Sequence, residues 1–293
     1  MERKLSKKIK LKFRKKMKMK IKKGIQMIEN KKIKEFYKQI IFTYFLTFLF
    51  STTPLKSFAA EKIVFKSDPW CPYICQDTNL PGIFVEIAKA AMEENKMQFE
   101  YQTLNWMRAI VEARSGKTNA LLGAAKVDAP DFIFHKTPIV EIKYEMFKLK
   151  SKKFNFTGKK ANTPELKNLK IGVINGYGYD DYMMKRIDAK DPNIIVVSGD
   201  SALEKLIQMV ISERIDAFYE APMVFKNYQI HNASENINKI DSAGVPEQDA
   251  QQLFIAFSPA IPESKKYADW IDQQLKKLKK NNQYEALLNK YVK

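Results

Sequence analysis

From residue 63 to residue 280, short apolar runs alternate with segments whose apolar side chains recur at helical spacing, and this alternation restricts the fold more than any other feature. Ile63–Ser67 reads as a strand. Phe84, Ile87, Ala88 and Ala91 mark one face of a helix that starts after Pro81-Gly82. Met97, Phe99, Tyr101 and Thr103 alternate as in a half-buried strand. Asn105 is placed to cap a helix with Ala109, Ile110 and Ala113 inside and Gly116 at its end. Ala120–Ala125 is a buried strand. After a basic, polar stretch (150–160) a similar set follows. It comprises a strand Ile171–Ile174 stopping at Asn175-Gly176, a helix from Asp180, a strand Ile194–Val197, a helix Ser201–Ser212 and a strand Ala217–Tyr219. Leu253–Phe257 is a late strand, and Pro262–Lys280 an amphipathic helix carrying Trp270, Ile271, Leu275 and Leu278. Strand–helix alternation predicts an α/β fold of parallel-type sheets with crossover helices. Two sets predict two lobes, with a ligand held between them at the carboxyl ends of strands.

The formal net charge of +18 suggests a nucleic-acid binder until its position is examined. Residues 1–59 hold 18 of the 51 Lys and Arg against three of the 33 acids (Glu2, Glu29, Glu35). The remainder has 33 bases and 30 acids, a nearly balanced surface with no electrostatic footprint for a phosphate backbone. The basic segment is followed by an apolar run, Ile40–Phe50, then Pro54, then Ser57-Phe58-Ala59 with small residues spaced as in a signal-peptidase site. The run is shorter than the roughly 20 residues that span a bilayer. A cleavable export signal over 1–59 is therefore expected, with an uncleaved membrane anchor as the alternative. The basic region is long for such a signal, which leaves Met17, Met19 or Met27 as alternative starts. No Cys stands at the cleavage point, so a lipid anchor is not expected.

Both cysteines, Cys71 and Cys75, belong to the exported part, where disulfides persist. The segment Cys71-Pro-Tyr-Ile-Cys75 has one residue too many for C-x-x-C. A structural disulfide closing a tight loop is the expected reading and a thiol redox site the alternative. A ring this small contributes about 2 kcal/mol through chain entropy, so its value is local stiffness. The loop that contains it, Asp68-Pro-Trp70-Cys-Pro-Tyr73-Ile-Cys75, combines an acid with aromatic faces and suits a small polar ligand. Trp106 and Arg108 open the second helix. Arg108 offers a planar fork for a carboxylate, against the alternative of a solvated helix-surface Arg. Lys126 follows the strand Ala120–Ala125, and Glu220 follows Ala217–Tyr219, placed to meet a ligand amine or to sit on the surface. Gly176-Tyr177-Gly178 lies between a strand and a helix, where backbone N–H groups can hold an anion, and Tyr179 follows it. His135 and His231 have no metal-ligand spacing and read as surface or loop residues. No metal, cofactor or catalytic constellation is expected.

The ordered set Asp68-Pro-Trp70-x-Pro72-Tyr73, Gly82-x-x-Val85-Glu86-Ile87-Ala88, Gly116-Lys117, Asp131-Phe132-x-Phe134, Pro138, Gly172-Val173-x-x-Gly176, Arg214-Ile215-Asp216-Ala217 and Asn281-Asn282-Gln283-Tyr284 resembles the family 3 extracellular solute-binding proteins of polar amino-acid ABC transporters. The resemblance extends over essentially all of residues 60–293, and most strongly to a divergent subgroup with a W-C-P-Y-x-C loop. It implies a type II periplasmic-binding-protein fold, with lobe 1 from 60–150 and 253–293, lobe 2 from 151–252, and two hinge strands near Lys148–Lys152 and Leu253–Phe257. It also implies hinge closure on a small polar solute and delivery to an ABC permease by a periplasmic monomer. A dehydratase-like enzyme on the same fold and a ligand-sensing partner of a membrane receptor are the alternatives. The family's amino-acid clamp is displaced here: the Arg for the ligand carboxylate corresponds to Ala129, and the acid for its amine to Ala221. Arg108, Lys126 and Glu220 are the candidate replacements. The expected ligand residues are thus Asp68, Trp70, Tyr73, Trp106, Arg108, Lys126, Tyr177, Gly178, Tyr179 and Glu220.

Overall fold

Alternate residues of the first strand, Ile63, Phe65 and Ser67, are buried while Val64 and Lys66 are half-buried, the period of two that a strand in the middle of a sheet imposes. In the computed structural model of the protein, which describes residues 2–28, 34–40, 61–156, 167–245 and 250–292, this strand (β1, Lys62–Ser67) lies between β2 (Gln98–Thr103) and β3 (Ala120–Ala124), all three parallel. Phe65 faces Tyr101 on one side and Ala120 on the other. Two helices make the crossovers, α1 (Ile83–Glu94) and α2 (Trp106–Arg114). Asn105 caps α2 by accepting from the Arg108 N–H at 3.4 Å.

The second sheet repeats the plan. β7 (Ile171–Ile174) lies between β8 (Ile194–Val197) and β9 (Ala217–Glu220), again all parallel. Its crossovers are α3 (Asp181–Asp188) and α4 (Ala202–Ile211). Asp180 caps α3 through the Met183 N–H at 3.0 Å, with Asp181 in the first turn and Lys185 and Arg186 in the last, as the helix dipole favours. In both sheets the first strand of the triplet is central, so strand order reverses beside it, and crevices open at such points at the carboxyl ends.

Antiparallel strands extend each parallel triplet, so the sheets are mixed. The first runs β2-β1-β3-β11-β4, with β5 beside β11, and the second β10-β6-β9-β7-β8. β11 (Gln251–Phe257) is antiparallel to β3, β4 (Ile133–Phe134) and β5 (Val140–Ile142). β6 (Glu145–Leu149) is antiparallel to β9 and β10 (Ile240–Gly244). The chain leaves the first sheet after Ile142 and joins the second at Glu145, so the crossing falls at Lys143–Tyr144, earlier than Lys148–Lys152. It returns between Gly244 and Gln251. The two crossing segments run side by side there, Ile142 opposite Gln251 and Val140 opposite Leu253.

Two helices, at 222–231 and 283–292, were not expected individually, and the helix expected over 262–280 is present. α5 (Pro222–His231) begins on proline at its first turn, where no N–H is needed. α6 (Ser264–Lys280) buries Tyr267, Ala268, Ile271 and Leu275, and α7 (Gln283–Val292) follows it. Residues Met1–Ala59 form a separate compact unit whose described part is mainly one helix, Glu2–Ile28. The apolar run from residue 41 onward and the cleavage tripeptide Ser57–Ala59 lie outside the described residues. No helix among the described residues is long and apolar enough to cross a membrane.

Phe65 sits at the junction of β1 with the returning strand, its ring 5.1 Å from Phe99 and 6.1 Å from Phe257, with no solvent exposure. Phe65→Ala is expected to lower the unfolding free energy by about 3–5 kcal/mol. Urea denaturation followed by tryptophan fluorescence measures it, and a loss under about 1 kcal/mol would show that this contact is not part of the core.

Candidate functional site

Four strand ends deliver the site. Asp68 directly follows β1, Asp128 stands in the loop after β3, Tyr177 in the turn after β7, and Glu220 is the last residue of β9. The first two approach from one lobe and the last two from the other. Between the first three lies a chamber of about 20 Å3, room for one water-sized group. Its walls include Asp68, Trp70, Trp106, Asp128, Tyr177 and Gly178. A larger groove of about 740 Å3 adjoins it between the disulfide loop and α5, sharing Asp68, Trp70 and Tyr177 and reaching Glu220.

The disulfide loop is built to present Trp70. Cys71 and Cys75 are bonded. Inside the ring the Trp70 N–H donates to the Ile74 carbonyl at 2.7 Å, and the Tyr73 N–H to the Trp70 carbonyl at 3.0 Å. Tyr73 packs its ring on Trp70 at 4.7 Å and so supports it from behind. Gly82 at the start of α1 has φ 101°, and a Cβ there would run into the Tyr73 carbonyl. The loop and α1 therefore meet only because residue 82 is glycine.

Hydrogen bonds join the lobes across the chamber. Trp70 Nε1 donates to Glu220 Oε1 at 3.0 Å, Tyr177 Oη to Asp68 Oδ2 at 2.6 Å, and Trp106 Nε1 to the Gly176 carbonyl at 2.9 Å. Gln251 Nε2 donates to the Gly178 carbonyl at 3.0 Å. The Gly178 N–H donates to Asp128, whose other oxygen accepts from the Ala125 N–H at 2.6 Å. The glycine turn thus holds an anion, and the anion is the chain's own carboxylate. Gly178 is glycine because a Cβ would collide with Val127 and Asp128. Tyr179 lies behind the wall: its hydroxyl accepts from the Ile174 N–H at 2.8 Å, and its ring packs 4.8 Å from Tyr144, which lines the chamber.

Asp68 and Asp128 thus line the chamber with no Lys or Arg among its lining residues, and Glu220 lines the adjoining groove. Burial pushes Asp68 up to about 6, its hydrogen bond from Tyr177 opposing. Burial raises Asp128 and Glu220 to about 7 each, and the nearby Asp68 adds to both. Glu220 has no solvent exposure. Its Oε1 accepts from Trp70 and from the Ala221 N–H at 2.7 Å, while Oε2 is buried without a partner.

Four expected ligand residues do not line the chamber or the groove: Tyr73 and Tyr179 pack behind the walls, and Arg108 and Lys126 are not brought here. Arg108 leaves 67% of its side chain exposed and reaches back along α2 to Glu112 at 3.3 Å, a carboxylate that also holds Lys66 at 2.6 Å and Lys117 at 2.9 Å. Lys126 is exposed, with its ammonium 5.1 Å over the Phe254 ring. His135, expected at the surface or in a loop, lies in the loop after β4 and is buried: its Nε2 accepts from the Ile255 N–H at 3.0 Å, and burial depresses it to about 4. His231 is exposed. Among the described residues no cluster of His, Cys, Asp and Glu has a metal-binding arrangement. Sequence reasoning missed Asp128 and Tyr144. Asp128 had one signal, an acid in the same post-strand loop as Lys126.

The ordinary carboxyl values are 3.8 for Asp and 4.5 for Glu, so all three groups bind protons more readily folded than unfolded. Between about pH 4 and 7 the folded protein therefore carries more protons, and its stability falls as pH rises through that window. The thermal midpoint without ligand is expected to drop between about pH 5 and pH 8, and Glu220→Gln to flatten part of the slope and raise the midpoint at the upper end. Scanning calorimetry reads both, and an unchanged slope in Glu220→Gln would remove this residue as a cause.

No family model matches the chain, and no curated protein matches it in sequence. Solved structures do. An ancestral arginine-binding protein bound to arginine is 19% identical with a TM-score of 0.63, the match covering 79% of this chain and 98% of that one. A histidine kinase sensor domain with similarity to periplasmic binding proteins is 18% identical at TM-score 0.65, covering 80% and 96%. An ancestral amino-acid-binding protein, a precursor of cyclohexadienyl dehydratase, is 18% identical at TM-score 0.59, covering 79% and 95%. With two mixed sheets, each a parallel triplet with its central first strand, the chain has the α/β fold of the two-lobed periplasmic binding proteins.

Proposed function

We propose that this chain is an exported solute-binding protein that captures a small polar solute between its lobes and hands it to an ABC permease. One observation carries the reading: polar groups from both lobes, Asp68, Trp70 and Asp128 with Tyr177, Gly178 and Glu220, gather at four strand ends around a chamber and the groove that adjoins it. Buried polar groups are hydrogen-bonded in folded proteins, so a buried, unpartnered Glu220 Oε2 marks where a ligand donor belongs. A solute touching both lobes favours the closed arrangement over the open one, which is what closure on a ligand requires. Residues 1–59 serve export in this reading, and the protein works in the periplasm as a monomer. The arginine-binding and amino-acid-binding relatives in structure support solute capture, and the sensor-domain relative supports ligand sensing as a related use.

A second reading has a specific support. Carboxyl groups raised towards neutrality are suited to proton transfer, and the dehydratase precursor shares the fold. Glu220 or Asp68 would then act on a bound substrate, and only turnover separates the readings.

A thermal-shift screen against amino acids, peptides, amines, carboxylates and sugars tests the proposal. A solute binding only the native state at a hundredfold excess over Kd stabilises by about 2.7 kcal/mol. A hit recovered unchanged is expected, with Trp70→Ala abolishing it and Arg108→Ala leaving affinity within about twofold. A hit that is consumed turns the protein into an enzyme, and a hit that Trp70→Ala leaves intact places binding outside the cleft.

A further inference from the structure

This inference rests on the solute-binding reading and concerns the charge of the solute. Asp68, Asp128 and Glu220 surround the cleft, and none of the residues lining the inner chamber is a Lys or Arg. The adjoining groove does carry Lys226, His231 and Lys290, but Asp77, Asp200 and Glu204 border it too, and Lys290 is paired with Glu86. Glu220 belongs to the groove and is tied to the chamber wall through Trp70; it is wholly buried, with Oε1 satisfied twice and Oε2 unpaired. An unpaired buried carboxylate oxygen is costly, and a donor carrying positive charge is the partner that relieves it most.

The walls agree with the charge. Trp70 and Tyr177 line the groove beside Glu220 as well as the chamber, and aromatic faces attract cations through their quadrupole. A solute carboxylate, by contrast, finds no fork: residue 129 is a buried alanine, and Arg108 is held by Glu112 on the outer side of α2. A carboxylate beside these acids would meet repulsion, and the lysines of the groove are matched there by Asp77, Asp200 and Glu204.

We propose that the cleft takes a small organic cation bearing an ammonium or guanidinium group and no carboxylate, with Glu220 Oε2 as the acceptor facing that group. Asp68 and Asp128 supply the surrounding negative potential while staying tied to Tyr177 and Gly178. The proposal separates two kinds of ligand that share a cationic end, the free amine and the amino acid.

Isothermal titration with agmatine and arginine, which differ only in the carboxylate, tests it directly, with glutarate as the anionic probe. Agmatine is expected to bind at least tenfold tighter than arginine, glutarate not at all, and Glu220→Gln to weaken agmatine at least tenfold. Asp68→Asn gives a second, smaller loss should the first variant fold poorly, which circular dichroism monitors. Arginine binding as tightly as agmatine, or glutarate binding, in either case abolished by Trp70→Ala, overturns the cationic class and leaves the cleft reading standing. Agmatine binding that neither Glu220→Gln nor Trp70→Ala alters overturns the assignment, because the cation then binds elsewhere. Binding of none of the three probes, with a neutral solute captured in the cleft, overturns the cationic class alone; no capture of any solute overturns both.

Discussion

The molecule turns on a carboxylate buried at the seam of its two lobes. Glu220 ends a strand of the second lobe, yet one of its oxygens is held by an indole from the first. Burying a carboxyl group in this way is unfavourable unless something is gained. The Trp70 and Ala221 donors offset part of the cost, and the rest is visible as a carboxyl that ionises only near neutrality. A purely structural seam is more cheaply built from apolar side chains, as buried ion pairs replaced by hydrophobic residues have shown. Retaining an unpartnered acid at this point is a departure from local consistency of the kind that functional sites show.

The elements around it explain how so small a set of contacts can be placed accurately. Trp70 is fixed by a ring of five residues, the aromatic face of Tyr73 and the close approach of Gly82. Glu220 is fixed by β9, which lies in the interior of its sheet between β6 and β7. Lobe is joined to lobe by hydrogen bonds to loops, Tyr177 with Asp68 and Gly178 with Asp128 among them, and by one buried hydrophobic cluster that includes Phe65 and Ile255 from the first sheet and Val173 and Tyr219 from the second. The crossing segments, paired at Ile142–Gln251 and Val140–Leu253, keep the two sides in register.

Both parallel triplets and their crossover helices were legible in the sequence because each is apolar at a clear period. β1 to β3 and β7 to β9 fall within a residue or so of the ranges that periodicity assigns. Of the antiparallel strands only β11 was legible, as Leu253–Phe257. β4 has two residues, and β10 (Ile-Asp-Ser-Ala-Gly) buries only Ile240 and Ala243, so neither announces itself. α5 buries Val224 and Phe225 alone, too little for a stripe. At the site, Asp68, Trp70 and Trp106 were readable from their place after strands. Asp128 was not singled out, because its role depends on a glycine fifty residues away. The burial of His135 was missed because a lone histidine carries no periodic signal of it.

The one-residue offset between Glu220 and the acid position of the resembled family, Ala221, has a geometric meaning. Successive residues of extended chain point to opposite sides. Both the end of β9 and Ala221, with φ −66° and ψ 129°, are extended. An acid at 220 therefore does not reproduce an acid at 221 with a small shift; it points elsewhere, towards the Trp70 loop and the mouth of the groove. The missing arginine follows the same logic. Arg108 is nearby in sequence terms and has the right chemistry, but three basic residues share Glu112, and helix spacing of four residues commits Arg108 to it. Neither half of the amino-acid clamp has been moved a short distance and kept. The polar groups of this cleft are arranged on a different plan, in which indole and phenol donors hold the acids and the acids face inward.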